Sequence, residues 1–275
     1  MNYRHSYHAG SFSDVFKHII LALIIDTLKV KEAPFTYLDT HAGRGLYWLD
    51  ESEAQKKQEY RFGIERLISY NKITPAPACF AQYLDLVSSM NFAEHLNCYP
   101  GSPKIAEALL REQDRMILCE LHPEEYSFLK DNMGKSDKRI GLHCTDAYLG
   151  MKAFLPPKTA RGLVHIDPPF EKTNEFEMID AALKLAYKHW RMGQFMIWYP
   201  IKDKREVERF QLSLKQYQND VLFVEFFMED THISSNLMGC GVALINPPWK
   251  LNDKLTKIVL PYLASALHAR WAVSE

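Results

Sequence analysis

The feature that most restricts this chain is a recurring unit: a short apolar run, a polar residue that ends it, then a segment with helical spacing. Phe35-Thr36-Tyr37-Leu38 leads into Asp39-Thr40-His41-Ala42-Gly43-Arg44-Gly45, Met116 to Cys119 ends at Glu120, Arg139 to Cys144 ends near Asp146, and Gly162 to Ile166 ends at Asp167. Helical spacing is read over 12–31, 122–133, 175–190 and 203–217, with Val15, Phe16, Ile19, Ile20, Leu23 and Ile24 forming one apolar stripe on the first. Strands alternating with helices predict a mainly parallel sheet covered on both faces. Phe195 to Trp198 is a fifth strand. The last two, Val221 to Met228 and Val242 to Ile245, have no helix between them and are expected to pair antiparallel at one edge, before a closing helix to about Ala269.

One interval breaks the alternation. Asp39 and Glu120 stand 81 positions apart, whereas one crossover needs only ~30 residues. Glu51 to Leu67 and Ala78 to Phe92 read as helical around Thr74-Pro75-Ala76-Pro77. The expectation is a main domain of residues 1–49 and 99–275, with a helical subdomain inserted at 50–98 and an amino-terminal tail, 1–11, near the active site.

Composition narrows the class. Apolar residues make up 47% and charged residues 24% of 275, which excludes a disordered polymer, a collagen or a disulfide miniprotein. The five cysteines (79, 98, 119, 144, 240) have no C-x-x-C spacing, so neither a disulfide framework nor a zinc site is suggested, and no metal is called for. The first residues lack a signal-peptide core and the aliphatic run Ile19 to Ile25 is too short to span a bilayer. A soluble protein of the reducing cytoplasm is expected. A net charge of −1 confines any nucleic-acid footprint to local patches. The candidates are Lys152, Lys158 and Arg161, and an amino-terminal cluster of Arg4, His5, His8, Lys17 and His18.

In open α/β sheets, ligands bind outside the carboxyl ends of the strands. Asp39 to Gly45, Glu120, Asp146 and Asp167 all fall there. Gly43 and Gly45 permit close backbone approach, a carboxylate after the second strand suits a ribose diol, and one after the third suits an adenine amine. Asp167-Pro168-Pro169-Phe170 is the sharpest signal. Its two prolines stiffen the turn, fixing the carboxylate beside a backbone carbonyl, with Phe170 as an aromatic face. Acceptors plus a platform suit an exocyclic amine on an extruded base.

These residues resemble the S-adenosylmethionine-dependent amino-methyltransferases that carry a [DNS]-P-P-[YFW] motif. More narrowly, the chain resembles the bacterial ribosomal RNA large subunit methyltransferase J family, which methylates adenine N6 in 23S rRNA. The resemblance rests on 3-YRHSYHAG-10 with Asp14-Val15 and Lys17-His18, on 37-YLDTHAGRG-45, 99-YPGSP-103, 120-ELHP-123, 167-DPPF-170 and 246-NPPWK-250. It implies a Rossmann-like seven-stranded methyltransferase fold. It also implies a cofactor site of His18, His41, Ser102, Glu120, Asp146, Ala147 and Asp167. Asp167 would be catalytic, with Tyr3, His5, Pro168 and Phe170 reaching the target adenosine. Phe170 stands where Tyr is commoner in that family, and Ala147 where Gly is usual, leaving 147 a backbone role. The expected partner is 23S rRNA, naked or in an early assembly intermediate, and the expected state a monomer.

Three alternatives are weighed. A DNA adenine-N6 methyltransferase shares the chemistry, but about 50 inserted residues are few for reading a duplex. A protein glutamine-N5 methyltransferase typically has N-P-P-Y. A nicotinamide oxidoreductase would need a third glycine and an acid ~20 residues further on. Asn246-Pro247-Pro248-Trp249 matches the amine-methyltransferase pattern too, but only 26 residues follow it, too few for further sheet to build a domain around it. It is read as structural.

Overall fold

The computed structural model describes residues 4–91, 95–134, 137–217, 220–229 and 239–275. The core is an eight-stranded sheet. Its parallel part comprises β1 (Thr36–Asp39), β4 (Arg115–Cys119), β5 (Ile140–His143), β6 (Gly162–Ile166) and β7 (Gln194–Ile201). Two short strands between β1 and β4, namely β2 (Leu46–Trp48) and β3 (Cys98–Pro100), pair with each other in a separate ribbon. Beyond β7 come β8 (Val221–Met228), β9 (Gly239–Ile245) and β10 (Ala269–Ser274). The spatial order is β10-β8-β9-β7-β6-β1-β4-β5.

This order corrects the sequence reading twice. The sheet has eight strands, not seven, and the antiparallel pair β8 and β9 is not at the edge. β9 inserts between β7 and β8, pairing antiparallel with both, and β10 closes the edge against β8. The carboxyl-terminal helix stops at Leu267 and His268 takes a left-handed φ of 54°, reversing the chain into β10. There Trp271 and Val273 pack on the core. Arg270 lies over the Phe227 ring on β8. The alternation of burial along this segment was legible; the small remaining length was the misleading cue.

Helix α1 (Phe12–Lys29) is buried almost all round rather than along one stripe. A helix apolar on every side belongs inside a fold, and α1 is covered by β9, by α4 (Ala81–Ser89) and by α5 (Ser102–Leu109). The segment between β2 and β3 also holds α2 (Ser52–Lys57) and α3 (Ile64–Ile73). The single helix expected over Glu51 to Leu67 is broken where Gln58 turns left-handed, at φ 50°. Leu67, Phe80, Tyr83 and Val87 of this segment share one core with α1 and the carboxyl-terminal helix. The opposite sheet face packs a second core against α7 (Ala147–Phe154), α8 (Glu175–His189) and α9 (Lys204–Lys215). Among the described residues no helix is long and apolar enough to cross a membrane.

Chain order reverses beside β1: the path runs outward through β4 and β5, then returns to β6 on the other flank. That switch point opens a crevice at the carboxyl ends of the strands.

Candidate active site

A cavity occupies this crevice, about 1050 Å³ with its open mouth included. His18, His41, Ser102, Glu120, Asp146, Ala147 and Asp167 all line it, as does His5. Tyr3 lies outside the described residues. Pro168 is buried behind Pro169, which forms the wall there. Phe170 is half-buried, with φ +49°, and packs edge-on with Phe176 and Trp198 rather than in the wall.

The loop after β1 is organised from below. Asp39, fully buried, accepts from the Tyr37 hydroxyl at 2.7 Å and the His41 amide at 3.3 Å, and faces His165 Nδ1 at 3.5 Å. Burial pushes its carboxyl upward, yet His165 and hydrogen bonds from Ser102 and Tyr37 hold it at about 2. Thr40 donates its hydroxyl to the His165 carbonyl at 2.9 Å and therefore accepts from His41 Nδ1 at 2.8 Å. The neutral His41 ring is left with Nε2 as its acceptor. Burial, the dominant influence, lowers the His41 pKa to about 4 despite Asp167 and Asp39. His18 is likewise neutral because of burial, with Nδ1 on the Tyr99 hydroxyl at 2.7 Å.

Glu120 receives two backbone amides, Gly43 at 2.8 Å and His122 at 2.7 Å, while burial raises its pKa. Gly43 has φ +60°, and a Cβ there would meet the Tyr47 hydroxyl at 2.3 Å, so glycine is required on both conformational and steric grounds. Asp146 caps α7 through one oxygen, Oδ1, which accepts from Tyr148 and Leu149. Tyr148 also lines the cavity, meeting the His41 ring edge-on and donating to Glu175 at 2.6 Å.

The residues expected as a surface basic cluster at the amino terminus are largely internal. Lys17 and His18 are buried. Lys17 bonds Asp167 Oδ2 and Asp14, the latter at 3.0 Å, and Asp14 accepts from His5 at 2.9 Å and the Gly10 amide at 3.0 Å. Burial pulls the Lys17 pKa down, but Asp14 and Asp167 more than reverse it. Asp14 is held well below its ordinary value by His5 and Lys17 despite burial, its largest influence. This chain of charges ties the amino-terminal segment to Asp167. The sequence reading put Lys17 in the candidate nucleic-acid patch and gave Asp14 no role, although the polar trio at 14, 17 and 18 beside the apolar stripe of that helix was a usable signal. Arg44, also missed, grips Glu125 at 2.7 and 2.9 Å and Glu51 at 3.2 Å, binding the loop after β1 to α6 (Pro123–Met133) and the inserted segment.

The lining has six carboxylates (Glu120, Glu125, Asp146, Asp167, Glu171, Glu175) against Lys17 and Lys172, with two of its three histidines, His18 and His41, neutral. That field favours a cationic ligand, and the glycine cradle admits one bearing a ribose and a base. The residues fit S-adenosylmethionine.

A Rossmann-like α/β sheet with a crevice at its switch point is common to many nucleotide-binding enzymes, and the S-adenosylmethionine-dependent methyltransferases are one class built on it. Within that class, a family model described as ribosomal RNA large subunit methyltransferase D, RlmJ, matches residues 32–273. The ribosomal RNA large subunit methyltransferase J of Haemophilus influenzae is 39% identical over 97% of this chain and 94% of its own length, and that of Escherichia coli K12 is 38% identical with the same coverage. A crystal structure of Legionella pneumophila protein LPL1258 superposes with a TM-score of 0.88 at 34% identity, covering 98% of each chain. The chain belongs to the ribosomal RNA large subunit methyltransferase J family. Neither the DNA nor the protein-glutamine alternative is favoured by these matches.

Proposed function

We propose that this methyltransferase transfers the methyl group of S-adenosylmethionine to the N6 amine of an adenosine in 23S rRNA, acting in the cytoplasm as a monomer on naked RNA or an early assembly intermediate. The observation that carries the reading is the ion-paired Asp167 at the cavity, behind a double-proline turn. His18, His41, Ser102, Glu120, Asp146 and Ala147 would hold the cofactor, with Glu120 on the ribose diol and Asp146 Oδ2 on the adenine amine. When bound, the cofactor supplies a methyl carbon made electrophilic by its sulfonium.

The chain's own residues must improve a poor nucleophile, because the N6 lone pair is delocalised into the ring. Lys17 occupies Asp167 Oδ2, leaving Oδ1 to accept one N6–H, and the Pro168 carbonyl accepts the other. These contacts favour the tetrahedral nitrogen that develops in the transition state, so they act selectively there. Lys17 fixes the carboxylate in rotation, and Asp167 acts as an acceptor rather than a strong base. The methylated nitrogen is acidic and gives up its proton without one. His5, held by Asp14, stands where the target nucleoside enters.

The test is transfer of labelled methyl to protein-free 23S rRNA from cells lacking this gene, with unmethylated DNA in parallel, followed by nucleoside digestion. N6-methyladenosine in RNA alone is expected. Label in DNA alone, or in protein alone, overturns the reading.

A further inference from the structure

Net charge of −1 leaves open where an RNA phosphate backbone is gripped. Of the lysine patch, Lys152 lies in the last turn of α7 and Lys158 between α7 and β6, at the end of the sheet away from the cavity. Arg161 of that patch is committed to the backbone carbonyls of Ala33 and Leu28.

A different cluster adjoins the cavity. The amino-terminal turn His5–Tyr7 packs against α2. His5 lines the cavity, and Tyr7, two residues on, lies half-buried at the α2 surface. Exposed Lys56 and Lys57 place their ammonium groups 5.9 and 6.0 Å from the centre of the Tyr7 ring. Lysines in a last turn complement the helix dipole, which accounts for their presence on α2 but not for two of them converging on one aromatic ring.

Neighbouring carboxylates are engaged elsewhere. Glu53 pairs with Arg4 at 3.1 Å and Glu59 with His8 at 2.9 Å. Lys57 reaches Glu59 at 3.9 Å and His8 Nε2 at 3.4 Å, both long contacts, and Lys56 forms no salt bridge among the described residues. A ring flanked by ammonium groups offers a stacking face and phosphate counter-charges together, the pairing that holds single-stranded nucleic acid. Two residues span at most about 7 Å of chain, so this surface stands within one or two nucleotides of a base placed at His5 and Asp167.

We infer that Tyr7, Lys56 and Lys57 form a docking surface for the RNA strand flanking the target adenosine, Tyr7 stacking on a neighbouring base and the lysines contacting its phosphates. The inference rests on the functional reading above. The inserted segment thereby acts as the RNA-holding part of the enzyme.

The experiment measures RNA KM, kcat, S-adenosylmethionine affinity and the salt dependence of RNA binding for the wild type, K56Q/K57Q and Y7L, with K152Q/K158Q as the control. For K56Q/K57Q the RNA KM should rise about tenfold and the slope of log affinity against log salt should fall by about 1.4, two phosphates at about 0.7 each. Y7L should raise the RNA KM about fivefold with the slope unchanged, because stacking is uncharged. In both, kcat and cofactor affinity should stay within about twofold, and the control should match the wild type. If wild type transfers methyl to RNA while K56Q/K57Q and Y7L keep its KM and slope, the docking surface is wrong. A loss of cofactor affinity equal to the loss in RNA KM also overturns it, since the effect would then act through the cavity. A wild type that methylates no RNA fails the functional reading instead, and the inference falls with it.

Discussion

The chain carries two double-proline turns of the amine-methyltransferase pattern, and they do unlike things. Asp167-Pro168-Pro169-Phe170 leaves the carboxyl end of β6, at the crevice. Asn246-Pro247-Pro248-Trp249 leaves β9, which runs antiparallel to β7, so it emerges at the other end of the sheet. There the Asn246 amide donates to the carbonyls of Arg191 at 2.9 Å and Gly193 at 2.7 Å, knitting β9 to the approach of β7. Their backbones differ as well. The left-handed residue is the last of the first turn, Phe170, and the first of the second, Asn246 at φ 54°. Asn tolerates that conformation readily, whereas an aromatic residue there is strained by about 1–3 kcal/mol and is held by Phe176 and Trp198. Four letters therefore carry no chemistry until strand direction assigns them an end of the sheet.

The sharpest way to break the comparison is to remove the leading side chain of each turn. Asp167→Ala should lower kcat at least about 10³-fold, more than one lost oxyanion-type contact, because both the acceptor and its fixed geometry go. The protein should remain folded by circular dichroism, and near-wild-type turnover would contradict the assignment. The next effect concerns the charge behind the first turn, which has no counterpart behind the second. Lys17→Met leaves Asp14 and Asp167 buried without their ammonium, and should destabilise by about 3 kcal/mol in denaturant titration. Its kcat should fall about 10²-fold.

The third effect is a pH dependence on the cavity side. His41 titrates at about 4 in the folded chain but near 6.5 when unfolded. The unfolded state then binds more protons between those values, so stability is complete above 6.5 and declines as pH falls toward 4. Cofactor affinity, a property of the folded chain, should fall only as pH nears 4, where a protonated imidazole would repel a cationic ligand. Calorimetric titration across pH 4–7 measures it, and His41→Gln should flatten the decline. The smallest effect lies at the second turn. Asn246→Ala should cost about 1–2 kcal/mol, from two lost hydrogen bonds and a left-handed alanine, with kcat unchanged. A large loss of activity in that variant would mean the two turns are coupled.

The order of elements along the parallel half was readable because each depends on local period: β6 and β8 fall on the expected residues, and the acids at 39, 120, 146 and 167 stand at or just beyond strand ends. His41, Glu120, Asp146 and Asp167 converge because parallel strands all present their carboxyl ends to one crevice. The burial of α1 was not readable in the same way. Its spacing showed an apolar stripe, and only packing over its other side turned Lys17 and His18 from a surface patch into buried residues, with Lys17 bridging Asp14 and Asp167.

What the sequence determined by itself was the alternation of strand and helix, the residues that end each strand, and thereby the contents of the cavity. Tertiary structure alone decided that β9 inserts between β7 and β8, that β10 returns to seal the edge, that Lys17 holds Asp167, and that the second double-proline turn faces away from the chemistry. Local period records which backbone conformation a segment prefers, but not which distant partner will satisfy its hydrogen bonds or cover its remaining face. Those are settled only when segments far apart in the chain compete for the same neighbours.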